Sequence, residues 1–159
     1  LPYVSAMAED SILVGDSNNN FRPKAVVTRG EIARILYAYL GSQLDENAIY
    51  AAADLRNDAS NVTITASCIL QDATIAGDLY ISEGLGNTSN VTLRNVSVLG
   101  NLIVAGGSVT LDNVQCETIL ADSPFDNKLS IEATNGTMIE TTIASSEIVL
   151  KTSVGAILR

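Results

Sequence analysis

Short apolar triplets recur along the chain at a nearly constant spacing and constrain its fold more than any other feature. From about residue 61 onward, apolar and polar side chains alternate, as in Val62-Thr63-Ile64 and Val91-Thr92-Leu93, which is the period of a β-strand. Four later triplets are 18, 20 and 19 residues apart, and they end at Leu93, Leu111, Ile131 and Leu150. A repeat of this length is typical of a solenoid, in which each turn buries its apolar side chains against the neighbouring turns.

The repeat also predicts three strands per turn, because one superposition aligns several columns of residues. Superposing Leu70, Leu93 and Leu111 aligns three further sets, which are Ala73, Val96 and Val114, then Ile75, Val98 and Cys116, then Leu79, Leu102 and Leu120. Longer turns are explained by two bulged loops, 83–89 and 123–127. We therefore predict a mainly β fold, namely a right-handed parallel β-helix of about four to five coils over residues 61–159.

Two sets of polar and small residues fall at predicted corners of the coils. Asp72, Asn95 and Asn113 share one column, and stacked Asn and Asp side chains can hydrogen-bond along such a column. Gly77 and Gly100 share another, where a left-handed or tight backbone is expected. We expect these five residues to have structural roles.

Composition removes several classes of function. The net charge is −9, with −1 in residues 1–45 and −8 in residues 46–159, so the chain is not expected to bind nucleic acid. Histidine is absent, which excludes a Ser-His-Asp triad and histidine-ligated metals. Only Arg94 and Lys128 supply bases between residues 59 and 150. We therefore predict that the chain is not an enzyme and needs no cofactor.

The two cysteines, Cys68 and Cys116, fall in different columns of different coils. A disulfide would need closely spaced Cα atoms, so two buried thiols are the favoured interpretation. No apolar run of about 18 residues occurs, and membrane insertion is not expected.

Residues 1–45 have a helical pattern instead. An amphipathic segment from Leu1 to Leu13 precedes a turn-forming loop, Gly15 to Asn20, for which turn formation accounts better than calcium binding. A capping-box pair, Thr28 and Glu31, then opens a helix from about Arg29 to Leu40. Residues 46–60 are interpreted as a linker or a first irregular coil. The helical segment is also a candidate N-terminal cap for the β-helix, whose open ends otherwise favour self-association.

The segment from Tyr3 to Leu40 resembles an S-layer homology domain. The resemblance is carried by Gly15-Asp16 with the asparagine-rich loop behind it, by Phe21-Arg22-Pro23, and by Val27-Thr28-Arg29-Gly30-Glu31. Residues 72–107 also look like β-helical regions that follow such domains in surface proteins of Clostridium-like and Bacillus-like bacteria. The resemblance implies an extracellular protein at the cell wall or S-layer of a Gram-positive bacterium.

The resemblance further implies binding to a secondary cell-wall polysaccharide, an acidic and often pyruvylated glycan. The contacting arginine would be Arg29, with Thr28 and Glu31 beside it in the motif and with Arg22 and Lys24 near in sequence. We therefore expect a non-catalytic surface protein, with the β-helix as a rigid stalk or display element. The alternative is a carbohydrate-binding or polysaccharide-cleaving β-helix module.

Overall fold

The computed structural model describes residues 2–9, 13, 15–16, 18, 20–57, 60–124 and 128–159. Contacts between Cα atoms divide the chain into two units, residues 1–41 and 42–159. The first unit contains helices α1 (Pro2–Glu9) and α2 (Arg29–Leu40). Of the predicted first helical segment, residues 1 and 10–12 lie outside the described residues. Residues 46–60 belong to the second unit, where β2 and a 3₁₀ helix (Ala52–Asp54) lie.

All the strands belong to the second unit. They are β1 (Ser42–Leu44), β2 (Ile49–Ala51), β3 (Val62–Ile64), β4 (Cys68–Ile75), β5 (Leu79–Ile81), β6 (Asn90–Val104), β7 (Ser108–Asp112), β8 (Gln115–Ala121), β9 (Leu129–Thr134), β10 (Met138–Ala144), β11 (Ile148–Thr152) and β12 (Ile157–Leu158).

Every strand pairing is parallel, and the pairs form three ladders along the unit. The first ladder joins β1, β3, β5 and the ends of β6, β8 and β10, which makes six rungs. The second joins β2, the starts of β4 and β6, then β7, β9 and β11. The third joins the end of β4, the middle of β6, the starts of β8 and β10, and β12. The predicted parallel β-solenoid is therefore confirmed.

The solenoid has about six coils, so the predicted four to five were too few. The extra coil comes from β1 and β2, whose sequence lacks the regular triplets used to count turns. The right hand of the helix stays a prediction.

The core is a stack of branched aliphatic side chains inside the coils. Leu70 pairs with Leu93 and Leu93 with Leu111 in the second ladder, and all three are fully buried. Branched side chains suit extended backbone and pack well between successive rungs. Since inward positions alternate with outward ones, strands such as β7 direct apolar residues into the core and mostly polar residues outward.

The corner between the second and third ladders uses left-handed backbone. Asp72, Asn95, Asn113 and Asn135 have φ values of 51° to 56° there. The Asn95 Nδ2 donates to Asp72 Oδ1 and the Asn113 Nδ2 donates to Asn95 Oδ1, both at 2.9 Å. Asn135 instead donates to the Asp112 carboxylate of the preceding coil. Asn and Asp tolerate this conformation better than other residues with a Cβ, so the corner accounts for the column.

The corner between the third and first ladders is tight rather than left-handed. Gly77 and Gly100 lack a positive φ, and the Gly100 N–H donates to the Gly77 carbonyl at 3.1 Å. A Cβ built on Gly100 would lie 2.6 Å from the Gly77 carbonyl carbon and oxygen. Close approach of successive coils, not backbone conformation, therefore requires glycine.

A column of hydrogen-bonded polar side chains also lies at this corner. It was not among the columns predicted from the sequence. The Asp78 N–H donates to Asn61 Oδ1 at 2.9 Å, and the Asn101 N–H donates to Asp78 Oδ1 at 2.7 Å. The repeated Gly-Asp and Gly-Asn dipeptides at residues 77–78 and 100–101 are its sequence signal.

Two predicted alignments were wrong by one or two residues. A bulge between Val98 and Asn101 adds one residue to β6, so Leu102 pairs with Ile119 rather than with Leu120. In the next coil, Leu111 pairs with Ala133 rather than with Ile131. A two-residue slip keeps the same side chains facing inward, and the alternating pattern cannot reveal it. Of the predicted loop 123–127, residues 125–127 lie outside the described residues.

Both cysteines are free and buried. Cys68 pairs with Val91 in the second ladder, whereas Cys116 pairs with Val98 in the third. Burial raises the pKa of the Cys68 thiol to about 11 and raises that of Cys116 as well. Both side chains are therefore protonated at neutral pH and act as small apolar core residues.

Replacing Gly100 by alanine should destabilise the solenoid by about 1–3 kcal/mol, because the added Cβ forces the coils apart at Gly77. Urea unfolding of the full chain measures this. The matched control is Gly86→Ala, since a Cβ there meets nothing within 4 Å. Equal stabilities of the two variants would contradict the close-approach argument.

Substitutions of Asn95 should separate backbone strain from side-chain hydrogen bonding. Asn95→Gly removes the amide but accepts the φ of 52°, whereas Asn95→Ala also strains the backbone. We expect the alanine variant to be less stable than the glycine variant by about 1 kcal/mol. If urea unfolding ranks the two equally, the left-handed corner contributes no constraint.

Candidate functional site

Helix α2 begins with a complete capping box. The Thr28 Oγ accepts the Glu31 N–H at 3.2 Å, while the Glu31 carboxylate accepts the Thr28 N–H and hydroxyl, each at 2.7 Å. The Thr28 backbone N–H is the main cause that lowers the pKa of Glu31, and the hydroxyl adds to it. These bonds give the backbone N–H groups of the helix start their acceptors. The side chains of Thr28 and Glu31 are therefore both held in the cap.

Asp16 organises the loop before α2. Its Oδ1 accepts the backbone N–H groups of Asn18 and Asn20 at 2.9 and 3.0 Å, and its Oδ2 lies 2.6 Å from Arg22 Nη2. Hydrogen bonds from the Asn20 and Asn18 backbone are the largest causes that lower the pKa of Asp16. Arg22 and Asp16 therefore neutralise each other.

A cavity of about 330 Å³ lies between this loop and α2 in the first unit. Its polar lining includes Asp16, Arg22, Glu31 and Arg34. Apolar side chains, among them Phe21, complete the wall. A small cleft with mostly apolar walls and a few charged groups is the usual form of a ligand site.

The cations of the first unit differ in whether they are paired. Within the part of the chain that the structure describes, Lys24, Arg29 and Arg34 have no salt bridge, in contrast to Arg22. Of these three, only Arg34 lines the cavity. Among the described residues, Arg34 is therefore the guanidinium of this lining without a salt bridge, and the charges of Asp16 and Glu31 balance those of Arg22 and Arg34.

The structure divides the predicted glycan-binding residues into two groups. Arg22 and Glu31 line the cavity, whereas Thr28, Lys24 and Arg29 do not. Arg29 occupies the first helical position and is exposed. Arg34 was absent from the prediction, although its position one turn after Glu31 on α2 is a signal that could have found it.

A shallow groove of about 240 Å³ follows the asparagine corner of the solenoid. Its wall includes Asp72, Asn95 and Asn113, with Thr74, Ser97 and Gln115 beside them. The amides of Asn95 and Asn113 already hydrogen-bond to neighbouring coils, so they serve the corner itself.

Comparison with known families identifies the helical segment. Residues 2–33 match the family model of the S-layer homology domain. The chain carries an S-layer homology domain followed by a parallel β-solenoid. This domain indicates association with the cell surface or S-layer. The match ends one residue before Arg34.

Neither a curated protein nor a solved structure matches the chain significantly. None of the helices that the structure describes is long and apolar enough to cross a membrane.

The capping box should respond to pH. Because the pKa of Glu31 is lower in the folded chain, the cap stabilises α2 above the ordinary range of a glutamate, and this stabilisation is lost as the pH falls through the folded-state pKa. We expect Thr28→Ala to raise the pKa of Glu31 only part of the way, since the backbone N–H at position 28 still donates. NMR titration of the Glu31 carboxyl measures this.

The matched control for this titration is Thr65→Ala, an exposed threonine of the second unit. It should leave the pKa of Glu31 unchanged. A Glu31 titration that is identical in the native chain and in Thr28→Ala would show that the Thr28 hydroxyl does not act on the carboxylate.

Proposed function

We propose that this protein is a non-catalytic structural protein of the bacterial surface. Its S-layer homology domain anchors it to a secondary cell-wall polysaccharide, and its solenoid acts as a rigid stalk or display element. The match of residues 2–33 to the S-layer homology family carries the proposal.

The charge distribution supports an anionic partner for the first unit. Residues 1–41 carry four basic and four acidic side chains, whereas residues 42–159 hold the whole net charge of −9. All four basic residues of the first unit lie between residues 22 and 34, with Glu31 the one acidic residue among them. This stretch is the most basic part of the chain, and an acidic polysaccharide would bind there.

The construction of the solenoid supports a stalk. Its three ladders run from β1 to β12, so main-chain hydrogen bonds connect each coil to the next along the whole unit. The asparagine corner and the Asn61–Asp78–Asn101 ladder add side-chain bonds between coils. A hydrogen-bonded stack with a close-packed aliphatic core resists bending and suits display.

The chemistry of the side chains supports a role without catalysis. The chain lacks histidine, and burial holds both thiols protonated at neutral pH. The lowered pKa values of Asp16 and Glu31 come from hydrogen bonds that order the loop and the helix start. These perturbed groups have structural explanations and do not require a catalytic one.

Cosedimentation with purified Gram-positive sacculi tests the anchoring function. We expect the full chain to pellet with sacculi that retain their secondary polysaccharide, and to remain in the supernatant when hydrofluoric acid has removed that polymer. The double variant Lys151→Gln/Arg159→Gln, which removes two cations from the solenoid, should pellet like the native chain. Failure of the native chain to pellet, or equal pelleting with stripped sacculi, would refute polymer anchoring.

A further inference from the structure

We propose that the last coil of the solenoid is an interface for a second copy of this chain, and that two copies join end to end by antiparallel pairing of their β11 strands. The inference concerns the second unit alone and does not depend on the anchoring function. It is carried by three features of the last coil, which are an exposed core, an unpaired strand edge and a self-complementary pattern of charge.

The inward side chains of the last coil are apolar but incompletely covered. Leu150 pairs with Ile131 in the second ladder, yet Leu150 is 43% exposed whereas Ile131 is fully buried. Ile148 is likewise only partly buried, although its ladder partner Leu129 is buried. The last coil therefore presents to solvent the apolar positions that the preceding coil buries.

The first coil of the solenoid differs from the last in this respect. Its inward Leu44 is 1% exposed, and Tyr50 packs against the core. Because the exposed core lies at the C-terminal end, pairing two C-terminal ends hides more apolar surface than stacking a first coil on a last coil. The second copy therefore fits best with its own last coil.

Strand β11 has an unpaired backbone edge. The Glu147 carbonyl accepts the Leu129 N–H of β9, and the Ser153 N–H also donates to β9. Backbone groups alternate between the two edges of a strand, so the N–H and C=O groups of Ile148 and Leu150 point away from β9. Among the described residues, no strand pairs with β11 on that side. Such an edge is a template for pairing with another chain.

A two-fold axis between two identical ends fixes the direction of this pairing. The same surface then meets itself, and β11 of one copy runs antiparallel to β11 of the other. With the axis at Val149, Ile148 lies opposite Leu150 of the second copy, so their free backbone groups face each other. The same register places Glu147 opposite Lys151 of the second copy, and the symmetry repeats this pair of opposite charges twice.

The charge of the solenoid also favours this end. Residues 138–159 carry two acidic and two basic side chains and are neutral as a whole. Residues 42–137 hold the entire net charge of −9. Electrostatic repulsion between two copies is therefore weakest where their last coils meet.

Sedimentation equilibrium of the full chain at increasing concentration tests the interface. We expect a reversible dimer of twice the chain mass of 16.7 kDa. Leu150→Asp should weaken dimerisation about tenfold or more, because it places a charge in the apolar centre of the interface. The matched control is Leu99→Asp, at a β6 side chain that is 67% exposed, and it should change dimerisation less than about twofold.

Two outcomes of this measurement would contradict the proposal. A monomer at every concentration, or equal weakening by Leu150→Asp and Leu99→Asp, would overturn the interface. Assemblies that grow beyond a dimer would overturn the two-fold arrangement, since stacking of first on last coils continues without closing.

Exchanging charges tests the register. Glu147→Lys places like charges opposite each other twice and should weaken dimerisation about threefold or more, whereas Glu147→Lys/Lys151→Glu should return it to within about twofold of the native value. Both variants lose the ion pair between Glu147 and Lys128, so recovery by the double variant reports contact between copies. A double variant as weak as the single one would overturn this register.

Hydrogen exchange of the native chain tests the strand pairing without any substitution. We expect the amides of Ile148 and Leu150 to exchange more slowly in concentrated than in dilute solution, because dimerisation gives them acceptors. The amides of Val149 and Lys151 lie on the edge that bonds to β9 and should be protected at both concentrations. Equal exchange of Ile148 and Leu150 at the two concentrations would overturn the pairing.

Discussion

Backbone hydrogen bonding between successive coils is the interaction on which the rest of the solenoid depends. A coil has no partner within itself, so each of its strands must align with strands of the neighbouring coils. This requirement makes every corner repeat the same shape. At one corner the repeat needs a left-handed residue, which explains Asp72 and the three asparagines above it, and at another it needs the absence of a Cβ, which explains Gly77 and Gly100. At the third corner, between the first and second ladders, the coil length varies more freely, as in the loop at 82–89.

The fold could be predicted from the sequence where the alignment of successive coils requires the same residue type at equivalent positions. The columns of Leu70 and of Asp72 are visible because a core leucine recurs in three successive coils and a left-handed Asp or Asn recurs in four. The predicted alignment was wrong where the number of residues per coil changes and no recurring residue type reveals the change. A single bulged residue near Gly100 and a longer sequence interval between β8 and β9 change the spacing but not the alternation of apolar and polar residues. The coil at β1 and β2 was not counted because its strands, Ser42–Leu44 and Ile49–Ala51, lack the regular apolar triplets.

Only the part of the candidate site that is formed by a local sequence motif could be predicted. The capping box of Thr28 and Glu31 follows from residue types at fixed offsets, and the structure contains it with both reciprocal bonds. Which arginine faces a cavity depends on how the loop around Asp16 folds against α2, and no local pattern encodes that. The motif therefore pointed to Arg29, while the fold places Arg22 and Arg34 at the cavity.

The two units also differ in net charge, and this difference bears on the proposed anchoring to the cell wall. With all of the net charge of −9 in residues 42–159, an anionic polymer is repelled by the solenoid over about a Debye length, roughly 8–10 Å at physiological salt. In the proposed anchoring function, this repulsion would reduce unspecific adsorption of the solenoid along the wall. It also restricts attraction to the basic stretch between residues 22 and 34, where Arg22 is paired with Asp16 and three other cations have no salt bridge to a described residue. In the proposed anchoring function, an acidic glycan would therefore be bound by the first unit and not by the solenoid.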